Sequence, residues 1–260
     1  MQRRIAFLLG KKPRPGTIVA EVIDLLATRD VRSEVLLPHD QQVGAEDAQD
    51  VDLVVHRGLS GPDADLLSSL DALSTPLCNP WRGMRHLHDR AALHDALDGA
   101  GVPSPRGVVR TTWADVLAEE RRRRVVVKAV EGPGRGRGVL PSPLPEDPPM
   151  DGPYLVEELI EHDGTDHKLY VAGDRVSGLL KPSTLTHGHS TEGTPFEVST
   201  ELAGLARRTL QHLGLHLAGV DVVIGPDGPV VVDVNAFPGF RGVDGAGTVV
   251  ADHLLTHVAR

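Results

Sequence analysis

Short apolar runs alternate with amphipathic stretches over the first hundred residues. Ile5–Leu9 is apolar throughout and stops at Gly10, the pattern of a buried strand. Thr17–Thr28 places Ile18, Val19, Val22, Ile23 and Leu26 on one helical face. Val31–Leu37, ended by Pro38, and Val51–Val55 read as further strands, with a polar loop over 39–50 between them. A helix near Asp63–Leu73 and a short strand over Thr75–Asn79 precede Pro80. One helix is then expected from about Gly83 to Ala100, stopped by Gly101-Val102-Pro103-Ser104-Pro105. Strands alternating with helices predict a doubly wound-like parallel sheet in an α/β layer.

The pattern then changes. Val125–Val130 is a β-branched strand, and the stretch Glu131–Met150 is rich in glycine, arginine and proline, with prolines at 141, 143, 145, 148 and 149 that forbid a helix. Tyr154–Ile160, Lys168–Val171 and Arg175–Leu180 read as strands, the last two joined by a turn at Gly173-Asp174. Thr200–Leu213 reads as a helix, Val220–Ile224 and Val230–Val234 as a hairpin across Gly225–Gly228, and a last helix starts near Gly247. This second half is antiparallel in character, so the whole chain is expected to be α/β plus α+β.

Composition narrows the class. With 260 residues, 40% hydrophobic and 24% charged, the chain is that of a globular enzyme rather than a disordered segment. A formal net charge of -9 and 3% aromatics argue against a binder of nucleic acid or of an anionic membrane. No apolar run approaches the ~18 residues of a membrane helix, and the run after Arg4 is too short for a signal peptide, so a cytoplasmic location is expected. The single cysteine, Cys78, excludes an internal disulfide and reads as a small buried apolar residue. His86, His88 and His94 fall at i, i+2 and i+8, not at the i, i+4 spacing of a helical zinc pair, and read as surface residues.

Three segments carry candidate chemistry, and three of the five lysines fall in or beside them. Asp233 and Asn235 occupy i and i+2 of a valine-rich strand and share one face, and the hairpin brings Asp221 beside them. Two acids and an amide amid valines either hold a hard cation through oxygen or face solvent on an edge hairpin. Glu131-Gly-Pro-Gly-Arg-Gly-Arg-Gly138 follows the strand carrying Lys128. It is not a dinucleotide fingerprint, because no helix follows, and not a P-loop, because no Gly-Lys-Ser/Thr ends it. Its glycines, Gly134 and Gly136 among them, permit close backbone approach to phosphate, and Lys128 between valine and alanine needs an anionic partner. Tyr154-Leu-Val-Glu157-Glu158-Leu159-Ile160 runs from apolar into acidic, as a strand lining a nucleotide cleft does. There is no Gly-x-Ser-x-Gly elbow.

In this order the segments resemble the ATP-grasp superfamily over nearly the whole chain, with inositol 1,3,4-trisphosphate 5/6-kinases and RimK-like carboxylate–amine ligases as the likenesses. Asp233-Val-Asn235-Ala-Phe-Pro-Gly239 is similar to the metal strand of the kinases. Lys168-Leu-Tyr-Val-Ala-Gly, Lys181-Pro-Ser183, Asp89-Arg90, His56-Arg57 and Gly10-Lys11-Lys12 are similar to further family motifs. The resemblance implies a pre-ATP-grasp α/β domain over 1–103 ending in a linker helix, a central lid subdomain over 104–165, and a C-terminal subdomain over 166–260. It implies Mg²⁺ (Mn²⁺ as the alternative) on Asp221, Asp233 and Asn235, and ATP phosphates on Lys128 and Arg90 with the loop glycines. It also implies an adenine and ribose hinge over Glu157, Glu158, Leu159 and Ile160 with Ser183 close by, and an acceptor facing Lys11, Arg57, Lys168, Lys181 and Gly239. The kinases carry a histidine in the glycine-rich loop, where this chain has Glu131 and arginines. The departure favours a small carboxylate acceptor activated as an acyl phosphate, with an amine as co-substrate, over an inositol or polyol phosphate.

Overall fold

The computed structural model describes residues 2–59, 61–130, 138–183, 185 and 193–258. Three sheets form among them. The first is parallel, β1 (Arg3–Leu9), β2 (Val31–Leu36), β3 (Leu53–Arg57) and β4 (Leu77–Cys78), in the order β2-β1-β3-β4. Along β1 every residue from Ile5 to Leu9 is buried, because Ile5, Phe7 and Leu9 pack with helix α1 (Ile18–Ala27) while Ala6 and Leu8 face helix α2 (Ala64–Asp71). A strand covered on both faces has to be continuously apolar.

The second sheet is antiparallel, β5 (Gly107–Arg110), β8 (Tyr154–Glu158), β6 (Val125–Ala129) and β7 (Val139–Pro141), in that order. Val125 and Val127 pack on helix α5 (Trp113–Glu120), so period-2 alternation turns Val126 and Lys128 to the opposite face. The third sheet runs β11 (Thr194–Phe196), β10 (Arg175–Pro182), β9 (Thr165–Ala172), β12 (Leu217–Gly225) and β13 (Gly228–Ala236). One face carries helix α6 (Thr200–Leu213) on Val220, Val222 and Val231.

The structure departs from the sequence expectation, or adds to it, at several points. The expected helix over 83–100 is two helices, α3 (Trp81–His88) and α4 (Arg90–Gly99), because Asp89 is extended and its carboxylate accepts from the amides of Ala91 and Ala92. The proline-rich stretch contains β7, since a proline at the end of a short edge strand forfeits no ladder bond there. The final helix, α7 (Ala246–Val258), returns to the first sheet and packs on α1, with Val250 and Leu254 in one core with Phe7 and Val22. No helix among the described residues is long and apolar enough to cross a membrane.

Removing the α4 cap with Asp89→Ala should lower stability by about 1 kcal/mol. Urea denaturation monitored by far-ultraviolet circular dichroism checks this, and an unchanged midpoint contradicts it.

Candidate active site

The second and third sheets face each other across a cavity of about 410 Å³. Lys128, Val126, Val139 and Glu157 line it from the second sheet, and Asp166, Lys168, Lys181, Asp221 and Asp233 from the third. Strand phase explains the set. Val220 and Val222 point into the core, so Asp221 and Val223 point into the cavity. Leu169 and Val171 are buried in the same core, so Asp166 and Lys168 take the other face.

The hairpin adds a detail that alternation does not contain. Asp221 pairs with Asp233, but Val222 pairs with Val231, so Val232 is an extra residue in β13. This bulge lets the consecutive residues Val232 and Asp233 both line the cavity. The Val232 carbonyl accepts a hydrogen bond from Lys128 Nζ at 2.9 Å. Lys128 thereby ties the two sheets together, and its Nζ also pairs with the buried Glu157 carboxylate at 2.6 Å.

Charge is concentrated on the third sheet. Lys168 and Asp221 are directly opposite in the ladder, and Nζ donates to Asp221 Oδ2 at 2.6 Å. The same ammonium lies 3.4 Å from Asp166, which is itself opposite Lys181. Burial alone would push the Lys168 ammonium down, but Asp221 and Asp166 outweigh it and hold the group above the ordinary lysine range. Burial raises the Asp221 carboxyl, with Asp233 and Asp166 adding to the rise and Lys168 opposing it. Lys181 is lowered by burial and by repulsion from Lys168. Asp233 Oδ2 accepts from Asn235 Nδ2 at 3.1 Å and Oδ1 from the Val234 amide at 3.0 Å. Asp221, Asp233 and Asn235 are therefore neighbours on one face, offering carboxylate and amide oxygens, a donor set for a hard divalent cation.

The remaining expected residues divide into three groups. Arg90, Glu158, Leu159, Ile160 and Ser183 line the cavity. Arg90 Nη1 donates to the carbonyls of Ala129 and Gly138 at 3.0 and 3.3 Å, joining the end of β6 to the residue before β7. Glu158 is engaged by Arg106 at 2.8 Å, which lowers its carboxyl. Ser183 is buried, and its amide donates to the Gly164 carbonyl. Lys11, Arg57 and Gly239 do not line this cavity. Lys11 is exposed just beyond β1, where Gly10 approaches Gly58 too closely for any side chain. Arg57 at the end of β3 donates through Nε to the Phe237 carbonyl at 2.8 Å and lies over that ring, beside Gly239. Gly134 and Gly136 lie outside the described residues. Asp166 is the charged member that the sequence reading missed. Its i, i+2 relation to Lys168 was the available signal, hidden because the strand was expected to begin only at Lys168.

A sequence model of the inositol 1,3,4-trisphosphate 5/6-kinase ATP-grasp domain matches residues 187–256. The probable alpha-L-glutamate ligase of Xylella fastidiosa (strain M12) is 30% identical over 217 residues, covering 74% of this chain and 70% of the relative. The corresponding protein of Xanthomonas campestris pv. campestris (strain 8004) is 29% identical over 215 residues, covering 74% and 72%. Among solved structures, a RimK domain ATP-grasp protein of Sphaerobacter thermophilus superposes with a TM-score of 0.78 at 24% identity, over 96% of this chain and 98% of that one.

Lys168→Met leaves Asp221 and Asp166 partly buried without their shared cation, and should cost roughly 3 kcal/mol at pH 7. A carboxyl raised above its unfolded value destabilises the fold most when ionised, so this deficit should shrink as pH falls and Asp221 takes up a proton. Urea midpoints for both proteins at pH 7 and pH 5 test the magnitude and the sign, and a deficit that grows toward pH 5 contradicts the assignment.

Proposed function

Given that the chain belongs to the ATP-grasp superfamily and is an ATP-dependent ligase, we propose that it joins a carboxylate to an amine by way of an acyl phosphate. What supports this is the cavity face itself. Lys128 on one sheet stands across from Lys168, Lys181, Asp221, Asp233 and Asn235 on the other, which is charge arranged for a polyphosphate and a cation together. A substrate carboxylate oxygen attacks the γ-phosphorus of ATP. The bond to the β–γ bridging oxygen breaks and its electron pair leaves with ADP. The amine nitrogen then attacks the acyl carbon, phosphate departs with the C–O electron pair, and the amine proton passes to phosphate or solvent. A carboxylate is already nucleophilic, so no side chain has to be activated, in keeping with a sequence that has no serine elbow.

The protein's own work is positioning and charge neutralisation. Lys128, fixed by Glu157 and the Val232 carbonyl, is held in place before substrate arrives. Lys168 and Lys181 supply positive charge from the opposite wall. Asp221, Asp233 and Asn235 are the residues that would hold Mg²⁺, and Mn²⁺ suits the same oxygens. A cation held there would offset the charge of the nucleotide's phosphates. The hinge reading keeps Glu157, Glu158, Leu159 and Ile160 for adenine and ribose, with Ser183 beside them. Lys11, Arg57 and Gly239, near the end of the first sheet, are read as facing the acceptor side. The match over 187–256 supports a polyol phosphate kinase as the second reading, in which a hydroxyl replaces the carboxylate and needs a base.

ADP release measured with panels of carboxylate–amine pairs and of inositol phosphates separates the two. Turnover that requires both a carboxylate and an amine is expected, and turnover with an inositol phosphate alone overturns the ligase reading. Asp233→Ala should cut ADP release by at least about a hundredfold while circular dichroism stays unchanged. Near-normal release in that variant removes Asp233 from the cation set.

A further inference from the structure

Away from the cavity, a second group of ligand-bearing side chains lies where three parts of the fold meet. Cys78 is the last residue of β4 and is buried. His216 immediately precedes β12, and His253 and His257 lie on α7 at i, i+4, on one helical face. Asn79 fixes the first two against each other. Buried itself, it accepts through Oδ1 from the amides of His216 and Leu217 and donates through Nδ2 to the Leu217 carbonyl. His216 Nδ1 is 3.8 Å from Cys78 Sγ and 2.8 Å from His253 Nε2, and the ligand atoms of the three residues all lie within 4.8 Å of one another. His257 stacks on His216 with centroids 4.4 Å apart. A cavity of about 830 Å³ reaches His216, His253 and His257 from solvent, with Asp174, Asp244 and Asp252 on its wall.

We propose that Cys78, His216 and His253 form a zinc site that pins the edge of the first sheet to the start of β12 and to α7. Bond lengths of about 2.3 Å to sulfur and about 2.0–2.1 Å to nitrogen in a tetrahedron put ligand atoms roughly 3.3–3.6 Å apart. The Sγ–Nδ1 separation is nearly there, the two imidazole nitrogens have to part by about half an ångström, and Sγ and the His253 nitrogen, within 4.8 Å of each other, have to close by up to about 1.2 Å, movements within the reach of side-chain rotations. The fourth position opens on the cavity, for water or for His257 after a turn of its ring. One thiolate and two imidazoles are a borderline-soft set that suits zinc and does not suit magnesium. Burial lowers His216 to about 3 and His253 to about 4, with His253 and His257 adding to the first and His257 to the second. Burial pushes the Cys78 thiol up, so coordination has to expel its proton to solvent. None of these residues lines the cavity between the second and third sheets, so the site can fail without touching the ligase reading.

Cobalt substitution tests this on the full chain. Protein stripped with a chelator and titrated with Co²⁺ should develop a thiolate-to-cobalt charge-transfer band in the near ultraviolet. The oxygen ligands around Asp221 cannot produce such a band, and this chain has one cysteine. Cys78→Ser should abolish the band, and His253→Gln should weaken the titration at least about tenfold. Zinc should raise the melting temperature of the wild-type chain and leave that of Cys78→Ser unmoved. Absence of the band from folded wild-type protein, or its persistence in Cys78→Ser, overturns the proposal. Should Cys78→Ser fail to fold, His216→Gln and His253→Gln decide by the same titration, and unaltered affinity in both overturns it.

Discussion

Three carboxylates on one face of one sheet are the constraint around which this molecule is arranged. Asp166, Asp221 and Asp233 project from β9, β12 and β13 toward the same space, and ionised acids so close together repel in a setting that water only partly screens. Lys168 resolves this locally by reaching both Asp166 and Asp221. The resolution is partial, because Asp233 has only an amide hydrogen and the Asn235 side chain as described partners. On the proposed reading, this excess of negative oxygen would be offset by a divalent cation that also neutralises the phosphates of a nucleotide. The basic residues are placed accordingly. Lys128 comes from the opposite sheet, so positive charge reaches the cavity from both walls rather than from one.

Much of this was legible in the residues, for reasons of periodicity. The continuous run Ile5–Leu9 foretold a strand covered on both sides, and Asp233 and Asn235 two apart on a valine strand foretold a shared face. The likeness of the metal strand to known families carried the reading further than spacing could. What stayed hidden has a physical reason in each instance. Asp89 breaks a helix through a cap whose hydrogen bonds exist only once the backbone there is extended. The strand at 139–141 lies among prolines and owes its existence to the partner strand β6, a tertiary contact with little local signature. The stretch 107–120, with β5 and α5, is too short and mixed for periodicity to register, although Trp113 and Val116 anchor a core. Cys78, His216 and His253 are 138 and 37 residues apart in sequence, and only topology makes them neighbours.

The way the parts share their cores bears on how the chain holds together. The first sheet is covered on one face by α1 and by α7, which comes from the far end of the chain, and the same cluster includes Ala172 and Leu217 from the third sheet and Phe237 just after it. Arg57 extends the link by reaching from β3 to the Phe237 carbonyl, and Arg29 pairs with Asp252 across α1 and α7 at 2.6 Å. The second sheet, by contrast, has a core of its own around Trp113, Val127 and Tyr154. It touches the rest through fewer anchors, such as Lys128 on the Val232 carbonyl and the Val231 amide on the Pro103 carbonyl. The core of the second sheet is thus separate from the two cores that the first and third sheets build.

The additional residue at Val232 decides what a change of length in this hairpin would and would not disturb. Taking it out leaves Val231 opposite Val222 and sets Asp233 next, opposite Asp221, so plain alternation keeps Asp233 and Asn235 on the cleft side. What such a shortened strand forfeits is the out-of-step carbonyl that receives Lys128, and with it a tie between the two walls.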